Sequence, residues 1–152
     1  MQNDTPMLHQ SWLAYDQESH FPLENIPFGC FKTCDGCIVN CTRVGDHIVD
    51  LSAIFQLFKG PLFSTLTKNV FENCSLNSFA ALGKEFRVEA RQTIQKLFTD
   101  KSFEHAVRPH LFDANTVEMK MPMSIGDYTD FYSSKNHAYN IGVMFRGKDN
   151  AL

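Results

Sequence analysis

Nowhere in the chain is there a run of about 18 apolar residues, so no segment is expected to span a membrane. The first ten residues lack a basic end followed by an apolar stretch, which argues against a secretory signal at this end. Lysine and arginine total 14 against 17 acidic residues, a formal net charge of −3. They never crowd into a stripe that could track phosphates, so nucleic acid is not an expected partner. Internal repeats and low-complexity tracts are also missing. These absences make the cytoplasm the expected compartment, where the five cysteines stay reduced.

The 152 residues suffice for one domain, or for one domain and the start of another. A globular chain of this size buries roughly 68–70% of its unfolded surface, so a real core is within reach. The hydrophobic share is a modest 43%, but 14 phenylalanines add bulk.

Residues 1 to about 20 read as weakly ordered, although Trp12, Leu13 and Tyr15 offer apolar docking points. Prolines 22 and 27 and Gly29 favour an irregular lead-in over 20–29. Residues 37–44 are rich in β-branched side chains. With Gly45-Asp46 as a two-residue type II′ turn and 47–51 as the returning strand, they predict a hairpin. Ser52 is placed to cap a short helix through about Phe58, ended by Gly60-Pro61. The strongest helical pattern covers 76–98, where Phe79, Leu82, Phe86, Ala90, Ile94 and Leu97 share one face. A polar connector over 99–110 follows, then an alternating strand over 116–122. The pattern describes a mainly β domain with one long helix over roughly 20–115, with a new unit beginning near residue 120.

Four cysteines at 30, 34, 37 and 41 invite a zinc reading, since thiolates are common zinc ligands. Their crowding argues against it. Cys37 and Cys41 fall on one predicted strand, about 13 Å apart end to end. The plainer reading is small, half-buried side chains in and before a hairpin. Cys34-Asp35-Gly36-Cys37 is equally weak as a redox pair, because no helix follows to lower a thiol pKa.

The densest polar and aromatic stretch is 124–147, with Asp127, Asp130, Tyr128, Tyr132, Tyr139, His137 and Arg146. Ser133 or Ser134 can cap a helix running to about Phe145, with His137 in its first turn. Free amides there disfavour added positive charge, which suits an imidazole acting as general base. Asp130, just ahead of the helix, has the oxygen chemistry that hard divalent cations prefer. Each group also has an ordinary reading: a turn carboxylate, a surface histidine, packed tyrosines, a cation at a helix C-terminus.

The stretch Ile125-Gly126-Asp127-Tyr128-Thr129-Asp130-Phe131-Tyr132-Ser133-Ser134-Lys135-Asn136-His137-Ala138, continued by residues 142–152, closely resembles the fumarylacetoacetase family. Residues 16–29, the segment 45–52 and the 76–98 helix resemble its earlier parts. Residues 1–15 are left as a weakly ordered extension that the resemblance does not cover; it implies an SH3-like N-terminal barrel over 16–118 and the truncated start of a β-rich catalytic domain over 119–152. It implies hydrolysis of a carbon–carbon bond in 4-fumarylacetoacetate, giving fumarate and acetoacetate in tyrosine and phenylalanine catabolism. The substrate is then a small diketo acid, the cofactor Ca2+ or Mg2+, and the full-length assembly a homodimer. Asp130 resembles a metal ligand of the family, His137 its water-activating base, and Tyr132 and Arg146 its substrate-holding groups. Family chains are more than twice as long, so this portion is expected to be incomplete and inactive alone. The alternatives are a non-catalytic binding or regulatory module that keeps the N-terminal domain, and a zinc module built on the cysteines.

Overall fold

A computed structural model describes residues 10–16 and 18–152. The expected extension over 1–15 therefore lies largely outside the described residues. Its last part is well anchored. The Trp12 ring stacks on Phe98 at 5.1 Å, and its indole N–H donates to the Leu97 carbonyl at 2.8 Å. The Trp12 backbone amide donates to the Phe98 carbonyl at 3.0 Å. Two carbonyls at a helix end, which have no partner within the helix, are satisfied in this way.

Five strands form one antiparallel sheet: β1 Phe28–Lys32, β2 Ile38–Val44, β3 His47–Asp50, β4 Leu111–Asp113 and β5 Glu118–Lys120. Their spatial order is β4-β3-β2-β1-β5. The β2–β3 hairpin turns at Gly45-Asp46, as the sequence predicts, with Val44 opposite His47. Gly45 has φ +55° and Asp46 is not in the left-handed region, the sign pattern of a type II′ turn.

Side chains alternate across the pleat. Cys30, Val44 and Val49 face the main core, which the helices cover. Phe31, Cys41 and Ile48 face the other way and form a smaller cluster with Val39, Ala114 and Val117. The phenylalanines concentrate in the main core: Phe58 lies 4.9 Å from Phe63, Phe71 lies 5.0 Å from Phe79, and Phe28 lies 5.0 Å from Phe79.

Several sequence expectations need correction. The 76–98 helix is two helices, α1 Asn77–Ala81 and α2 Lys84–Thr99. Gly83 separates them at φ +96° and ψ −177°, a conformation that only glycine adopts freely. Ser52 does not cap a helix. The Asp50 carboxylate accepts from the Ala53 amide at 3.0 Å instead, and the chain makes a single 3-10 turn at Phe55–Leu57. The connector over 99–110 contains α3, Glu104–Val107, between two 3-10 turns. The lead-in over 20–29 gives way to β1 at Phe28. The long helix expected within 20–115 is thus broken at Gly83, while α4, Lys135–Arg146, is the helix expected after Ser134. No helix among the described residues is long and apolar enough to cross a membrane.

Candidate active-site segment

Residues 122–124 are latched to the start of α1. The Leu76 amide donates to the Pro122 carbonyl at 2.7 Å. Asn77 then makes a reciprocal pair with Ser124: its Oδ1 accepts from the Ser124 amide at 2.8 Å, and its Nδ2 donates to the Ser124 carbonyl at 3.0 Å. Beyond this latch the chain runs without regular structure to Ser134, exposing Ile125, Tyr128 and Phe131.

Ser134 begins α4. It has extended backbone angles, and its hydroxyl accepts from the His137 amide at 3.3 Å. That bond satisfies one of the free amides of the first turn. His137 is thereby set at the third helical position, and its ring meets the Tyr132 ring edge to face, with centroids 5.1 Å apart. Tyr132 also lines a groove of about 310 Å3 along α4 with Ala138, Ile141, Gly142, Phe145 and Arg146. At the far end of the helix, Arg146 Nη2 donates to the Ala151 carbonyl at 3.0 Å.

Tyr132 is the link among three of the four residues singled out from the sequence: it touches the His137 ring and shares the groove with Arg146, while His137 itself does not line that groove. Asp130 is exposed on the segment before the helix and makes no hydrogen bond or ion pair among the described residues. Its carboxylate has the right donor chemistry for Ca2+ or Mg2+, but those ions take about six to eight oxygens. No group of three or more His, Cys, Asp or Glu side chains able to hold a metal occurs among the described residues. Asp130 suits the ion in kind, and further donors are required.

The cysteines do not converge. Cys30 and Cys41 point to opposite faces of the sheet, one into each apolar cluster, while Cys34, Cys37 and Cys74 are exposed. Burial pushes the Cys41 thiol up to about 12, reinforced by Cys30 and Asp50. The Cys37 thiol is also raised, chiefly by the neighbouring Asp35 carboxylate. Neither has the lowered pKa of a reactive or metal-binding thiolate.

Two residues important to the segment's geometry were not singled out from sequence, Gly142 and Ala151. Both are buried. A glycine inside an otherwise helical run was the available signal, since it often marks a close backbone approach.

A family model described as "Fumarylacetoacetase N-terminal" matches residues 24–122. A fumarylacetoacetase of Dictyostelium discoideum is 43% identical over 151 residues, covering 94% of this chain and 35% of the relative. The fumarylacetoacetase of Rattus norvegicus is 40% identical over 148 residues, 93% of this chain and 35% of its own. That of Arabidopsis thaliana is 37% identical over 153 residues, 95% of this chain and 36% of its own. The chain thus spans about a third of the length of the curated relatives it matches.

Proposed function

Because this chain belongs to the fumarylacetoacetase family, we propose that it is the N-terminal portion of a hydrolase that cleaves 4-fumarylacetoacetate into fumarate and acetoacetate. On this reading it acts in tyrosine and phenylalanine catabolism, in the cytoplasm, as part of a homodimer. The observation that carries the reading is the reach of the similarity. It covers 94% of the chain, which leaves too few residues out to miss Asp130, Tyr132 and His137. The same reading makes the five-stranded sheet part of an SH3-like N-terminal barrel and assigns 119–152 to the start of a catalytic domain.

Each residue then has a role that suits its chemistry. The His137 imidazole takes a proton from water as the water adds to the substrate carbonyl. Tyr132, in ring contact with His137, donates its hydroxyl to a substrate oxygen. Arg146 offers the forked donors that fit a carboxylate. Adding the elements of water across the broken carbon–carbon bond gives one carboxylate product and one carbanion-like product, and the latter must take up a proton. Asp130 would supply one oxygen ligand to Ca2+ or Mg2+, which when bound polarises the carbonyl under attack.

The test has two stages. The native polypeptide is captured from its source cells with an antibody against residues 76–98, and its mass is compared with 17.3 kDa. The captured protein is then assayed with fumarylacetoacetate, with Ca2+ or Mg2+ supplied and after chelation. A mass more than twice that of this chain, with turnover that needs the divalent ion, is the expected outcome. A full-length protein that leaves the substrate intact would overturn the proposal.

A further inference from the structure

Beyond Arg146 the chain reverses. Gly147 adopts φ +78° and ψ 167°, the Lys148–Asn150 segment makes one 3-10 turn, and the return brings Ala151 back onto α4. Ala151 is 2% exposed, and it lands on Gly142. A Cβ built on Gly142 would stand 1.8 Å from the Ala151 carbonyl oxygen and 2.6 Å from its carbon. Real side chains essentially never approach a heavy atom that closely, and the obstructing atoms are backbone. With the return docked, position 142 admits only glycine.

The carbonyl that rests on Gly142 is also the acceptor for Arg146 Nη2 at 3.0 Å. An arginine has five N–H donors in a planar fork. One of them is anchored to a backbone oxygen that cannot itself move without changing the Gly142 contact, which restrains where the guanidinium sits. The other donors are left to address the groove that Arg146 shares with Tyr132.

We propose that Gly142 and the Ala151 carbonyl are a positioning device for Arg146, holding its guanidinium in the orientation that takes a substrate carboxylate. Gly142 is a positioning residue, since it acts through Ala151 and Arg146. The inference rests on the reading above, in which Arg146 holds the substrate. It adds residues whose part in that task the sequence does not suggest.

The experiment uses the full-length polypeptide and two readouts: steady-state cleavage of fumarylacetoacetate, and fumarate binding by calorimetry as a dicarboxylate probe. Gly142→Ala should raise KM and the fumarate Kd by about tenfold or more while leaving kcat within about twofold, the pattern of lost binding without lost chemistry. Gly147→Ala, which disturbs the return from outside the groove, should do the same, and it decides the matter if the first variant does not fold. In an Arg146→Gln background, Gly142→Ala should change either constant less than about twofold, because the group it positions is already gone. Wild-type cleavage with unchanged KM in both glycine variants would overturn the inference and leave the proposed function standing. An equal effect of Gly142→Ala with and without Arg146 would do likewise. Fumarate binding without cleavage, weakened by Gly142→Ala, would support the positioning role and overturn the proposed activity. A wild type that neither binds nor cleaves would overturn both.

Discussion

Glu89 closes over Gly60. Its two carboxylate oxygens accept from the Leu62 amide at 3.1 Å and the Phe63 amide at 2.9 Å. A Cβ on Gly60 would stand 2.3 Å from the carboxylate carbon. A side chain so placed could move aside only by giving up both hydrogen bonds, so Gly60 and Glu89 act as a unit that holds the 3-10 turn at Phe63–Thr65 against α2. Phe63 is thereby seated among the rings of Phe58, Phe71 and Phe79.

Removing the acceptor should therefore be costly. Glu89→Ala leaves two part-buried amides without a protein partner and should destabilise the fold by about 1–3 kcal/mol. Gly60→Ala should cost a similar amount by displacing the same carboxylate. The two changes should be clearly less than additive, because they break one interaction. Urea unfolding of the two single variants and the double variant measures this, and full additivity would sink the coupling.

Arg91 ties α2 to the loop ahead of β1. Its guanidinium donates to the carbonyls of Ile26, Asn25 and Glu24 at 2.9, 2.8 and 2.9 Å. The loop contains Ile26 in the left-handed region at φ +39°, a strain of about 1–3 kcal/mol for a β-branched residue. Arg91→Met should destabilise by about 2–3 kcal/mol through loss of charge-assisted bonds. Arg91→Lys should recover less than half of that, since an ammonium lacks the planar fork. Chemical denaturation compares the two, and equal stability of Arg91→Lys and wild type would contradict the fork geometry.

Thiol chemistry should separate the cysteines by burial. Iodoacetamide should modify Cys34, Cys37 and Cys74 in the native protein, and Cys30 and Cys41 only on unfolding, because the last two are buried. Cys37 should be the slowest of the exposed three, since Asp35 raises its pKa. Peptide mass mapping after a timed pulse reads the order.

The raised Cys41 pKa also makes stability depend on alkali. Below the ordinary thiol value of 9.0, Cys41 is protonated in both states and its contribution is fully present. Between 9.0 and about 12 the unfolded chain loses the proton while the folded chain keeps it, so stability falls as pH rises. Denaturation midpoints from pH 8 to 10.5 should decline in the wild type and decline less in Cys41→Ala. Parallel declines in the two proteins would refute the assignment.

For the proposed hydrolase, His137 and Asp130 should fail differently. In the full-length protein, His137→Asn should lower kcat by about 10^2–10^4-fold, the usual range for a general base, while fumarate still binds. Asp130→Asn should instead raise the divalent-ion concentration needed for half-maximal turnover, and chelation should abolish wild-type activity. Stopped assays across a metal titration distinguish the two.

Much of the fold could be read along the chain. The β2–β3 hairpin announces itself through β-branched alternation around Gly45-Asp46. The apolar stripe of Ala90, Ile94 and Leu97 marks α2, and Ser134 marks the start of α4. Strand β1 could not be read so easily. Cys30 and Phe31 are both fully buried, on opposite faces of the sheet, so no polar alternation betrays it. Strand β4 has only three residues, too few for a periodicity. The break at Gly83 was hidden because a single glycine within a helical pattern is often tolerated.

The sequence by itself determined the chemistry available to this protein. His137 and Arg146 lie within one short helix, where a capping serine and a 3.6-residue repeat are enough to place them, and Tyr132 stands two residues ahead of that cap. The tertiary structure alone decided which backbone segments meet. Whether Glu89 meets Gly60, Arg91 meets the 24–26 loop, or the Ala151 carbonyl meets Gly142 depends on backbone segments that touch only after the chain has turned back on itself. No local propensity encodes such contacts, because they are selected by close packing and by the need to satisfy each buried donor and acceptor.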